Sequence, residues 1–150
     1  MSKTNTWESD LLLLVFNNTA STLIGDAAGL RATTTAGSIF ISLHTADPGE
    51  TGIQTTSETA YTNYVRVGVA RSGAGWTISG TAPTQAANAA AVTFAQCGIT
   101  GATITYVGAG TDSSGGAGKL LYSGALSSQL IVSANITPSF AINQLAFTED

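Results

Sequence analysis

Between Ala102 and Leu126 two apolar arms flank a stretch that reads as a turn: Thr103, Thr105 and Val107 alternate with Ile104 and Tyr106, and Lys119-Leu120-Leu121-Tyr122 answers them across Thr111–Gly116. This pattern predicts a β-hairpin. A further arm, Gln129–Val132, follows a short Ser127-Ser128 break, and another runs from Phe140 to Phe147. Four strands so close together predict a meander or Greek key whose apolar face the rest of the chain must cover.

The same reading carried along the chain predicts a strand at Ser38–Leu43, one at Tyr64–Arg71 that turns through Ser72–Gly75 into Trp76–Ser79 as a second hairpin, and one at Val92-Thr93-Phe94. Pro83 and the Ala-rich Gln85–Ala91 read as extended chain leading into that last strand, because strands flank them and no apolar stripe accompanies them. Asp47-Pro48-Gly49-Glu50 has the residues of a type II turn, Pro at the second position and Gly at the third. Thr51 to Ala60 is polar, with Glu58 its only charge, and predicts a surface segment. Asn17 to Gly37, broken by Gly25–Gly29, holds no period and predicts an irregular connection.

A three-to-four residue period occurs once, from Trp7 to Phe16. Thr6 or Ser9 is placed to cap this helix, and Glu8 and Asp10 lie in the first turn, where the helix dipole favours acids. Trp7, Leu11, Leu14 and Val15 share one face; Leu12, Leu13 and Phe16 occupy much of the rest. A helix apolar nearly all round is covered twice by its own domain or once by a partner. On the second reading Leu12 and Leu13 point at a neighbouring subunit, and Trp7 to Phe16 as a whole is the candidate subunit interface. The resulting picture is an all-β, single-domain jelly-roll or Greek-key β-sandwich of about eight strands, with a helix and irregular arm at 1–37 and the sandwich at 38–150.

Composition alters this picture in one respect. Charged residues make up only 9% of the chain, against about 25% in an ordinary soluble domain. Such a surface has little defence against association, as expected of a subunit packed against copies of itself or a larger assembly. The five basic residues are scattered and the net charge is −4, so no patch exists to neutralise a nucleic-acid backbone. Leu11–Phe16 is too short to span a bilayer and lacks the basic flank of a signal peptide, so neither membrane insertion nor secretion is expected.

Candidate chemistry is sparse. His44 is the one histidine, and its possible metal partners, Asp47 and Glu50, lie in a turn that uses such residues for its own backbone. No serine sits in a Gly-x-Ser-x-Gly elbow, and Cys97 stands alone, reading as a small buried residue. The glycines of Gly108-Ala109-Gly110 and Gly115–Gly118 lie between strands rather than before a helix, and predict hairpin glycines, not a phosphate loop. The close acidic pairs, Glu8 with Asp10, Asp47 with Glu50 and Glu149 with Asp150, read as solvated, cap or terminal groups. No catalytic residue, cofactor or metal is expected.

ISLHTADPGETG (Ile41–Gly52), TTSETAYTNYVRVGVARS (Thr55–Ser72) and GAGKLLYSGALS (Gly116–Ser127), with LLLLVFNNTA (Leu11–Ala20), resemble a family of small virion proteins of tailed bacteriophages. Members are often labelled tail-fibre proteins, and related small jelly rolls serve as trimeric cement or decoration subunits on capsids. The resemblance implies no catalytic residues. It implies a virion protein made in the host cytoplasm: first, a capsid decoration subunit, self-associating as a homotrimer and binding the major capsid protein; alternatively, a tail-fibre or receptor-binding module reading a host surface glycan. The loop from Asp47, Pro48, Gly49 and Glu50 to Tyr61 is the candidate contact surface of the second reading, with Tyr61 its aromatic.

Overall fold

The computed structural model of the chain describes residues 3–25, 29–81 and 84–149. Asp26, Ala27 and Ala28 of the predicted breaker, Pro83, and Asp150 of the terminal acidic pair lie outside the described residues. The elements, in chain order, are α1 (Asn5–Asn17), β1 (Ser38–His44), β2 (Val67–Ala70), β3 (Trp76–Ser79), β4 (Thr84–Asn88), β5 (Val92–Thr93), β6 (Ala102–Gly110), β7 (Leu120–Val132), β8 (Ser139–Phe140) and β9 (Ala146–Glu149). The chain is therefore all-β with one short helix. The strands form sheets of order β2-β1-β6-β7, β3-β4-β9 and β5-β8. The pairings of β1 with β6, β6 with β7, β3 with β4 and β4 with β9 are antiparallel.

These elements collect into two compact units: Met1–Ser38 with Ala70–Ala91 and Phe140–Asp150, and Ile39–Val69 with Val92–Ser139. In the first, Thr4 caps α1, its hydroxyl accepting from Trp7 N at 3.4 Å, so Thr6 and Ser9, the expected caps, are helical. The helix ends at Asn18, whose left-handed φ of 53° and the Thr19 N–H bond to Leu13 O close a Schellman-type turn. The buried residues of α1 are Glu8, Leu12 and Phe16, one stripe at i, i+4 and i+8. That reverses the expected orientation: Leu12 and Phe16 lie in the unit's own core, while Trp7, Leu11, Leu13, Leu14 and Val15 are only partly buried. The reason is aromatic. Phe16 packs against Trp76 of β3 edge-on at 4.8 Å and stacks on Phe147 of β9 at 5.4 Å, and the small Ala86 and Ala87 of β4 are buried in the same unit.

Asn88 ties this unit's C-terminal segment down. Its amide donates to Ala90 O (2.7 Å) and Ala141 O (2.8 Å) and its carbonyl accepts from Leu145 N (2.9 Å), so a buried amide is satisfied on both ends.

Several expected pairings resolve differently. β2 and β3 do not form a hairpin: after Ser72, Gly75 N and Trp76 N both return to Ser72 O, and β3 joins a different sheet. The strand expected over Tyr64–Arg71 is confined to Val67–Ala70, and ahead of it Tyr64 N closes a turn onto Tyr61 O at 2.9 Å. The Phe140–Phe147 arm is split into β8 and β9 by a turn with Gln144 N bonded to Ala141 O and Asn143 at a φ of 62°. The four C-terminal arms therefore serve three sheets rather than one meander. β6 and β7 do form the expected hairpin, and the Ser127-Ser128 break falls within β7, where the register jumps from Leu130 opposite Ile104 to Ala125 opposite Tyr106. β6 also pairs with β1, a long-range return of the Greek-key kind.

Candidate interaction loop and its buried support

In the second unit the β6–β7 hairpin ends in a loop closed at its neck. Thr111 N donates to Lys119 O (3.0 Å) and Lys119 N to the Thr111 hydroxyl (2.9 Å). One step further, the Asp112 carboxylate accepts from Gly118 N at 3.2 Å. Ser113 to Ala117, beyond that neck, are all exposed, and Gly115 takes the left-handed φ of 72° that the tip requires.

What holds an exposed Ser/Gly loop is beneath it. Arg66, with its side chain only 3% exposed, meets Glu58, 14% exposed, in a bidentate pair: Nε to Oε1 and Nη2 to Oε2, each 2.7 Å. Its remaining donors reach the loop backbone, Nη1 to Asp112 O at 2.9 Å and Nη2 to Gly115 O at 2.8 Å. Gln54, wholly buried, brackets the same residue by accepting from Asp112 N (2.9 Å) and donating to Asp112 O (3.4 Å). Glu58 also accepts from the Tyr64 hydroxyl (2.9 Å), which itself accepts from Leu43 N (3.0 Å). The bond to Glu58 holds the Arg66 guanidinium even more firmly protonated than usual, and burial pushes the Tyr64 phenol far above its ordinary range, so both remain donors. A fork of this kind fixes loop carbonyls in position as well as in energy.

His44 completes the layer. Its Nδ1 lies 2.8 Å from Thr56 O and its Nε2 2.8 Å from the Ser42 hydroxyl. A carbonyl only accepts, so Nδ1 carries the proton and Nε2 accepts from Ser42. Burial lowers the ring's pKa, and it is neutral at pH 7. Room for this layer comes from β6. A Cβ on Gly108 would stand 2.7 Å from both His44 Nε2 and Ser42 Oγ, and one on Gly110 would overlap Gln54. These two glycines are strand residues emptied for buried polar side chains, not the hairpin glycines expected. The Ser42–His44 contact has the outline of a nucleophile and base, yet both residues are wholly buried and the ring's other partner is a main-chain carbonyl. The arrangement braces segment 54–58 against β1.

The predicted contact residues divide. Asp47, Gly49 and Glu50 are exposed, with Gly49 at a φ of 70° and its N–H bonded to the Asp47 carboxylate at 2.9 Å. The backbone-bonded turn is Gly49–Gly52, however, and Pro48 is buried. Tyr61 is 2% exposed, donates to Ala95 O (3.0 Å) and lies edge-on to Tyr64, so it offers no face to a sugar. Burial raises its phenol to about 12. Both ring nitrogens of His44 are engaged, and nothing brings it together with Asp47 and Glu50; among the described residues no cluster of His, Cys, Asp or Glu is arranged for a metal. Cys97 is buried as expected, against Thr100 O. Gln54, Glu58 and Thr59, by contrast, are drawn inward from a stretch whose polarity predicts a surface, and Arg66 of the expected strand turns in to meet Glu58. The one signal for this in the sequence is Gly-x-Gly on a strand, which leaves space for someone else's side chains.

The family model described as podophage GP4 fiber I protein gp80 matches residues 2–148. No curated protein matches the chain.

Proposed function

Because the chain belongs to the podophage GP4 fiber I protein family, a family of phage virion proteins, we propose that it is a non-enzymatic fibre subunit that presents the Ser113–Ala117 loop as a rigid contact surface. The observation that carries this reading is the extent of the match, residues 2–148, which takes in nearly the whole chain. The buried Glu58–Arg66 fork under the loop supports it, since a loop ordered beforehand loses less entropy on contact. Recognition of a glycan through Tyr61 is not part of this reading, because that ring is inside.

Capsid decoration is the second reading, favoured by the 9% charged composition, which suits a subunit covered by neighbours. In either place the partly buried Trp7, Leu11, Leu13, Leu14 and Val15 are the part of α1 left to meet another copy, as in a homotrimer. Immuno-electron microscopy of intact virions with an antibody to the chain separates the two. Label on the tail fibres is expected; label spread over the shell would replace this reading with decoration and make the major capsid protein the partner.

A further inference from the structure

Segment 54–58 is held from two sides. On one, the Thr56 carbonyl accepts from His44 Nδ1; on the other, Glu58 grips Arg66, which grips the loop at Asp112 and Gly115. The neutral imidazole fits because Ser42 supplies the one proton that Nε2 can accept. A protonated ring presents Nε2–H to Ser42 instead, so the Ser42 hydroxyl loses His44 as the acceptor of its own hydrogen, and Gly108, opposite it on β6, has no side chain to replace it.

The charged groups around the ring are few. Glu58 faces His44 across an isolated antiparallel bridge and holds Arg66; Gly108 and Leu120, the β6 and β7 residues at the Ser42–His44 contact, carry no charge. Glu58 is already committed to Arg66 and Tyr64. A cation on His44, whose two N–H groups face Thr56 O and Ser42 Oγ, therefore has no carboxylate of its own and stands as a second positive charge beside the Glu58–Arg66 pair.

We propose that His44 is an acid-sensitive latch: protonation of its ring sets a second cation beside the Glu58–Arg66 pair and so loosens the loop Asp112–Gly118. The proposal rests on the preceding reading only in treating that loop as the contact surface; the device itself belongs to the isolated chain. Its consequence is a contact surface that is rigid at neutral pH and loose in mild acid.

The chain has one histidine, so its imidazole signals in a nitrogen-15 NMR spectrum belong to His44 without ambiguity. The titration runs down from about pH 7.5 and is read against the ring's own nitrogen signals, so that changes following His44 are told apart from those of carboxylates, which ordinarily protonate at about pH 4. The amides of Ser113 to Ala117 and the Arg66 Nε–H are expected to shift with the midpoint of the ring, and to stop doing so in His44→Gln, which can still donate to Thr56 and accept from Ser42. Ser42→Ala keeps the ring but removes the donor that favours its neutral form, so ring and loop midpoints should rise together, by about one pH unit. Loop signals that ignore the ring's titration, that persist in His44→Gln, or that stay in place when Ser42→Ala moves the ring would overturn the latch. None of these outcomes bears on where the protein sits in the virion, and shell labelling would leave the latch standing.

Discussion

Arg71 and Arg66 both direct their guanidinium at main-chain carbonyls, in different company. In the first unit Arg71 donates to Val15 O and Leu14 O, each at 2.6 Å, and to Ala36 O at 2.9 Å. Two of those carbonyls belong to the last turn of α1, which has no basic residue of its own. A helix end carries roughly half a negative charge, so a cation is welcome there without a carboxylate. In the second unit the carbonyls of Asp112 and Gly115 lie in a loop with no aligned dipole, and Arg66 comes with Glu58 as counter-ion. The comparison shows two ways to hold irregular backbone with one side chain. The dipole-backed way is tolerant; the ion-paired way is tight but leaves a buried carboxylate exposed to the loss of its partner.

The largest effect should come from testing what lies behind the helix that Arg71 closes. Leu12→Glu places an unpaired carboxylate in the first unit's core, and a loss above about 4 kcal/mol is expected, seen as failure to give a cooperative melt. Leu13→Glu, on the partly buried side, should stay within about 1 kcal/mol and act, if anywhere, on sedimentation. Equal losses from both would mean that α1 buries two faces in its own chain.

Next come the arginines themselves. Arg66→Met strands Glu58 and should cost about 3–5 kcal/mol in urea denaturation, whereas Arg71→Met, which frees carbonyls near the helix end, should cost about 1–2 kcal/mol. Adding Glu58→Met to Arg66→Met should restore much of the stability while the loop amides remain unprotected, since removing both charges ends the burial penalty but not the loss of the donors. If Arg71→Met proves the costlier change, the dipole argument fails.

The glycines of the polar layer provide a finer contrast. Gly108→Ala drives a methyl against His44 and Ser42 and should lose about 1–3 kcal/mol, while Gly124→Ala, with open space around it, should change stability by less than about 0.5 kcal/mol. The smallest effect concerns pH. His44 has a lowered pKa in the fold, so the unfolded chain binds a proton first as pH falls below about 6.5. Stability is then full above that value and declines below it toward the folded pKa, by at most about 1.4 kcal/mol per pH unit. Denaturation at pH 7.5 and 5.5 should show this decline in the parent, and a flat profile in His44→Gln.

What the sequence determined by itself was local. Strands at Ser38–His44 and Trp76–Ser79 and the β6–β7 hairpin follow from alternation and a Gly-rich break, because a two-residue period needs only neighbours to express itself. The existence of α1 follows likewise, as does the interior place of Cys97. Which face of α1 is buried was a tertiary decision: a helix apolar nearly all round has no strong preference, and the aromatic rings of Trp76 and Phe147, far along the chain, chose Phe16 and with it Leu12. Strand partners were decided the same way, β3 going to β4 rather than to β2. The inward turn of Gln54, Glu58 and Arg66 was out of reach of any local window. A polar side chain enters a core only when its partner is supplied there, and here the partners are one another, the loop backbone, and the space that Gly108 and Gly110 leave on a strand that folds back from much later in the sequence.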